Sequence, residues 1–140
     1  MSNIARILQE SRIIAIVGMS DKPERASHEV ADYLLQHGYR VLPVNPALAG
    51  KEVLGQRAFA TLTEAAGAVA PARIDIVDCV RKAEDILPIA EEAIAVKAGC
   101  LWLQLDVINE AAAQLARAAG LAVVMDHCTK IEHRKLAVTA

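Results

Sequence analysis

Four basic side chains, Lys22, Arg25, Lys51 and Arg81, fall in or just before loops that follow segments with the character of β-strands. Singly, each is ordinary surface charge. Gathered on one rim, they suit a ligand with several phosphates, lysine acting as a point charge and arginine as a two-pronged fork. Lys22 and Arg25 belong to Ser20-Asp21-Lys22-Pro23-Glu24-Arg25-Ala26-Ser27, which follows the apolar run Ile13–Val17 and then Gly18-Met19. A strand, a loop opened by glycine and a helix N-terminus form the unit that cradles phosphate in nucleotide-binding α/β proteins. Ser27 precedes a stretch in which Val30 pairs with Leu34 and Ala31 with Leu35 at helical spacing, so Ser27 is expected to be the helix N-cap. Ser20 is a candidate hydroxyl donor to phosphate and needs no partner for that role.

Residue types suited to catalysis are present but not grouped. His28, His37, His127 and His133 are scattered, and no His–Asp pair that would activate Ser20 is legible. Asp78 and Glu84 are of the type used in acid–base work, although salt bridging or capping accounts for them equally well. Asp126-His127-Cys128 with His133 matches no zinc spacing, so no metal is expected. Gly18-Met19-Ser20 lacks the second glycine of the dinucleotide fingerprint, and Asn45-Pro46 stands where an acid would grip the ribose of NAD. Both features count against NAD. Trp102, the only tryptophan, sits at the end of an apolar run, where it is core with at most one ring edge toward a ligand.

The elements that must position these groups follow from periodicity. Ile4 to Glu10 is expected to be a short leading helix, and the helix after Ser27 ends at Gly38. Strands are expected at Ile13–Val17, Arg40–Val44, Ile74–Val80, Cys100–Gln104 and Leu121–Met125, with Glu52–Leu54 as a vestigial edge strand. Pro43 gives the second strand a weakly paired side, and Asp75 belongs at the start of its strand. Helices are expected from Thr61 to about Gly67 with Glu64 completing a capping box, from Glu84 to Lys97 with Pro88 in the first turn and Gly99 closing it, after the cap Asn109 to Gly120, and from Thr129 onward. Alternating strands and helices predict an α/β fold: a Rossmann-like three-layer sandwich on a mostly parallel sheet of about five main strands. Ligands of such folds bind at the carboxyl ends of the strands, here Gly18–Ser20, Asn45-Pro46, Val80-Arg81 and Trp102–Gln104.

The bulk composition agrees. With 140 residues the chain is expected to form a single domain, residues 1–140, and only 3% of it is aromatic, so the core must be Ala, Val, Ile and Leu. A formal net charge of -2 argues against general affinity for nucleic acid. Met1 to Gln9 lacks the apolar core of a signal peptide, and no apolar run has the length of a membrane span. The cysteines Cys79, Cys100 and Cys128 show no Cys-x-x-Cys spacing; a cytoplasmic, reduced protein is expected.

The loop Ser20–Ser27 resembles the corresponding loop of the small, single-domain bacterial CoA-binding proteins. Val41–Pro46, Ala49–Gly55, Val77–Arg81, Trp102–Leu105 and Met125–His133 are similar to the same family, and together the segments span nearly the whole chain. His127 departs from the pattern, where arginine is expected. The resemblance implies a domain similar to the CoA-binding domain of the succinyl-CoA synthetase α subunit, with coenzyme A or an acyl-CoA as ligand. It places Ser20, Asp21 and Lys22 against the CoA phosphates, Lys51 at the nucleotide end, and Val80, Arg81 and Trp102–Gln104 along adenosine and pantetheine; the strand ends and the basic loop add Gly18, Met19, Arg25, Ser27, Asn45 and Pro46 to the expected CoA-binding residues. It also implies binding rather than catalysis, since these 140 residues have no room for the phosphohistidine domain and ATP-grasp subunit of the synthetase. A CoA thiol would pass near Cys79, where a mixed disulfide formed under oxidation is an alternative to an inert buried thiol. Two other functions stay open: an NAD(P)-dependent oxidoreductase, and an interaction subunit of an acyl-CoA synthetase-like complex.

Overall fold

The structure, a computed structural model, describes residues 2–139. Five strands, β1 (Ile13–Val17), β2 (Arg40–Val44), β5 (Ile76–Cys79), β6 (Cys100–Leu103) and β7 (Ala122–Val124), form one parallel sheet in the order β2-β1-β5-β6-β7. β3 (Glu52–Val53) and β4 (Gln56–Arg57) pair only with each other, antiparallel. The helices are α1 (Asn3–Glu10), α2 (Ala26–Gln36), α3 (Leu62–Val69), α4 (Ile86–Ala95), α5 (Glu110–Ala118) and α6 (Thr129–Thr139).

Apart from Arg40 at the start of β2 and Asp78 in β5, the main strands are apolar on both faces, as fits faces covered by helices. Ala15, Val77, Leu101 and Leu103 pack with Leu62 and Ala65 of α3, Ile86 and Ala90 of α4, and Ala112 and Ala116 of α5. Ile14, Ile16, Ile76, Cys100 and Trp102 pack with Leu8 of α1, Val30 and Leu34 of α2, and Leu136 of α6. These are the three expected layers. Buried alanines, Ala90 and Ala93 of α4 and Ala112, Ala113 and Ala116 of α5, let these two helices pack closely side by side.

Several expected details hold, for reasons visible locally. Asn109 caps α5 by accepting from Ala112 N at 3.0 Å, and Thr61 caps α3 by accepting from Glu64 N at 3.1 Å. Asp75 stands just before β5, its Oδ2 accepting from Arg12 N and Ile13 N at the start of β1. Pro88 is the third residue of α4, where no intrahelical bond is lost.

Four expectations need correction. Glu52–Leu54 is not an edge strand of the main sheet. Leu54 and Gly55 have positive φ and turn the chain into the β3–β4 hairpin, and Phe59 bridges the outer edge of β2 instead. Gly67 does not end α3, which runs on to Val69 because Ala65 and Val69 stay buried. Gly99 does not close α4. That helix ends at Ala95, Lys97 takes the left-handed turn, and Gly99 is needed for close approach to the carbonyl of Asp75. Ser27 is not the N-cap of α2; the cap position is Arg25, and its side chain makes no capping bond.

Candidate functional site

The strand order reverses between β1 and β5, and the carboxyl ends of these strands border a crevice. Gly18 follows β1 with φ +92°, and a Cβ there would collide with the carbonyl oxygen of Val80, just past β5. The two strand ends are thus in backbone contact, and only glycine fits. Two adjoining cavities open around this contact, with Gly18, Ala26 and Val80 common to both.

The smaller cavity, about 420 Å³, lies toward β2 and is the more polar of the two. Gly18, Met19, Ser20, Asp21, Lys22, Arg25, Ser27 and Asn45 all line it. Its shape comes from a short chain of hydrogen bonds. Ser27 is buried, and its Oγ accepts from Ser20 N at 3.0 Å, folding the loop back onto α2. Ser20 Oγ accepts from Lys22 N at 3.1 Å. Asn45 Nδ2 donates to Met19 O at 2.8 Å while its Oδ1 accepts from Ala47 N at 2.9 Å, so this one residue ties β2 to the loop after β1. Asn45 therefore has a structural task in place of the ribose-binding acid of NAD proteins. Because Arg25 at the cap position makes no side-chain capping bond, the first amides of α2 have no side-chain cap, and Arg25, Ala26 and Ser27 at that helix end all line the cavity, as an anion site requires.

The larger cavity, about 800 Å³, lies toward β6 between the N-termini of α2 and α6. Val30, Val80, Leu105, Val107, Cys128 and Ile131 make its wall largely apolar. Beneath it lies a buried polar cluster. Gln104 Nε2 donates to Asp78 Oδ1 at 2.6 Å and to Thr129 Oγ1 at 3.2 Å, and Thr129 Oγ1 donates to Asp78 Oδ2 at 2.9 Å. Burial pushes the Asp78 carboxyl up to about 7, against the pull of the Gln104 and Thr129 hydrogen bonds. Alternation along parallel strands carries the signal for this cluster. Ile76 and Asp78 share a face, as do Trp102 and Gln104, and Asp78 stands in register with Trp102.

The four cations do not form one set. Lys22 and Arg25 line the polar cavity. Arg81 lines the apolar one, paired with Asp85 at 3.3 Å beside Lys82 and Glu84. Lys51 lies outside both linings, exposed on the turn where its amide donates to Leu48 O. Pro46 begins a 3-10 turn, Pro46–Leu48, and its side chain is exposed. Trp102 is removed from the site altogether. It is fully buried in the α1/α2/α6 layer, and its Nε1 donates to His127 O at 2.8 Å. Gln104, two residues on, is the member of that segment that reaches a cavity.

The cysteines separate likewise. Cys79 faces the α3/α4/α5 layer, fully buried, its thiol pushed well up first by burial and then by Asp78. It does not meet the crevice. Cys128, half-buried, does. Among the described residues no group of three or more His, Cys, Asp or Glu is placed to hold a metal, and no helix is long and apolar enough to cross a membrane.

This architecture is shared. The chain is 39% identical over 132 residues to the uncharacterized protein YneT of Bacillus subtilis, covering 94% of this chain and 93% of that one. The structure of cell-free ID.343 from Thermus thermophilus superposes with a TM-score of 0.87 at 33% identity, over 97% of this chain and 99% of that one. A dinucleotide-forming acetyl-coenzyme A synthetase from Ca. Korarchaeum cryptofilum shares the fold, with a TM-score of 0.69 at 19% identity over 88% of this chain and 27% of that one. The CoA binding domain model matches residues 12–134, and the chain belongs to that family.

Proposed function

We propose that the protein binds coenzyme A across the carboxyl ends of β1, β2, β5 and β6, as a one-domain binding module without turnover of its own. The observation that carries this reading is the pair of cavities joined at Gly18 and Val80. Their polarity changes in the order of the ligand's parts. The uncapped amides of α2, with Lys22 and Arg25, take the diphosphate. Lys51, just beyond Leu48, supplies a further cation for the 3′-phosphate. The pantetheine arm passes over Gly18 and Val80 into the apolar cavity, with Gln104 at its floor.

Mass spectrometry of ligand retained through purification, followed by calorimetry with CoA, dephospho-CoA and NAD, tests this reading. CoA is expected to bind most tightly, dephospho-CoA more weakly and NAD most weakly. Equal affinity for all of them overturns it. Incubation with acetyl- and succinyl-CoA is expected to release no thiol above the uncatalysed rate.

A further inference from the structure

The larger cavity carries more than CoA binding alone requires. Among the described residues the exposed large hydrophobic side chains are Leu87, Leu105, Ile108, Leu115 and Ile131, and two of them, Leu105 at 54% and Ile131 at 42% exposure, border this one cavity. Apolar surface left open at the mouth of an apolar cavity is a place where a ligand supplies the cover. The thiol end of CoA is small and polarisable and offers little to cover it.

Gln104 adds an independent indication. Only 8% of its surface is exposed, and its Nε2 is engaged by Asp78 and Thr129. Its Oε1 receives no hydrogen bond, and since no fully buried side-chain oxygen or nitrogen among the described residues lacks a partner, this oxygen keeps some exposure, in a residue that lines the cavity. An acceptor held in place from behind suits an N–H donor entering the cavity, and the pantetheine arm carries two amides. Once the arm is placed along Gln104, its sulfur end is directed toward the open apolar rim.

We propose that this cavity selects acyl thioesters of CoA over free CoA, the acyl group lying against Leu105 and Ile131. The proposal rests on the CoA reading above and names the ligand class for that site. Each methylene buried there should raise affinity by roughly threefold to fourfold, so the chain length of the acyl group becomes a measurable variable.

The test is calorimetry on the full chain with 3′-phosphoadenosine 5′-diphosphate, CoA, acetyl-CoA and butyryl-CoA. The first ligand has the nucleotide end and no pantetheine arm. Affinity is expected to rise along that series, with butyryl-CoA at least about tenfold tighter than CoA. The double variant Leu105→Ser, Ile131→Ser changes two exposed side chains and should bring butyryl-CoA to within about twofold of CoA, with the nucleotide unaffected. Equal affinity of the wild type for CoA and butyryl-CoA, with the nucleotide still bound, overturns the acyl proposal and leaves the CoA reading standing. A series that rises as expected but is unchanged in the double variant also overturns the proposal, because the acyl group then lies elsewhere. Failure of the wild type to bind CoA or the nucleotide overturns both.

Discussion

On the β2 side of Gly18 the cavity wall carries Lys22 and Arg25, which form no ion pair among the described residues. On the β6 side Arg81 is tied to Asp85, and the one charge-bearing group beneath the wall, Asp78, is buried in a closed set of hydrogen bonds. One region leaves Lys22 and Arg25 available to a ligand. The other pairs Arg81 with Asp85, holds Asp78 against Gln104 and Thr129, and leaves apolar surface open. The difference teaches that basic residues at strand ends are not interchangeable: what each can offer depends on whether the fold has already given it a partner.

The largest effect should come from removing the joint between the two regions. Gly18→Val forces a β-branched residue to φ +92° and into Val80 O. We expect about 5 kcal/mol of lost stability from strain and overpacking together, read by urea unfolding, with binding lost as well. A stable, binding-competent Gly18→Val would break the claim that the cavities meet at a backbone contact.

Asp78 comes next. Its folded value of about 7 lies above the 3.8 of an ordinary aspartate, so burial opposes ionisation. Below about pH 4 the carboxyl is protonated folded or unfolded, and no penalty applies. Between pH 4 and 7 the unfolded chain ionises first, so stability falls with rising pH, by up to roughly 4 kcal/mol. Asp78→Asn lacks this dependence. Thermal unfolding of both proteins across that window should show the variant gaining on the wild type as pH rises; parallel curves would mean that Asp78 is not buried as described.

The comparison sharpens most directly in binding. Lys22→Ala and Arg25→Ala each remove a charge-assisted contact worth about 1.5–3 kcal/mol, so CoA affinity should fall about tenfold or more. Arg81→Ala removes an exposed residue already paired in an i,i+4 bridge, so the change should stay within about threefold. Calorimetry on the three variants tests the split, and equal losses would restore a single basic rim. The smallest perturbation is chemical. Iodoacetamide on the native protein should modify Cys128 and spare Cys79 and Cys100, and CoA should protect Cys128; peptide mapping reads both.

Much of this was legible in sequence because it follows from period and punctuation. Ile13–Val17 reads as a doubly covered strand, and Gly18 marks the end of it. What escaped reading depends on partners distant along the chain. Ser27 has the right chemistry and place for an N-cap, yet Ser20 N claims its hydroxyl. Trp102 reads as core and is core, but the ring edge expected toward a ligand is absent, because strand alternation and the His127 carbonyl hold the whole side chain inside. The Asp78–Gln104–Thr129 cluster joins three segments, and only the pairing of β5 with β6 brings them together. Position after a strand groups Lys51 and Arg81 with Lys22 and Arg25, and says nothing of the Asp85 partner of Arg81.

The outer border of β2 has a consequence for how the molecule meets its own copies. Within a strand, the N–H and C=O of one residue point the same way; the outward-pointing Pro43 O accepts from Phe59 N, and Asn45 N donates outward to Phe59 O. Pro43 thus places its missing donor on the outer side, and the Phe59 bridge occupies the neighbouring positions. At the opposite border, β7 is only three residues long. Neither margin offers an uninterrupted row of donors and acceptors to a strand from another chain. The sheet is finished at both sides, which guards a chain so rich in β-branched residues against edge-to-edge aggregation.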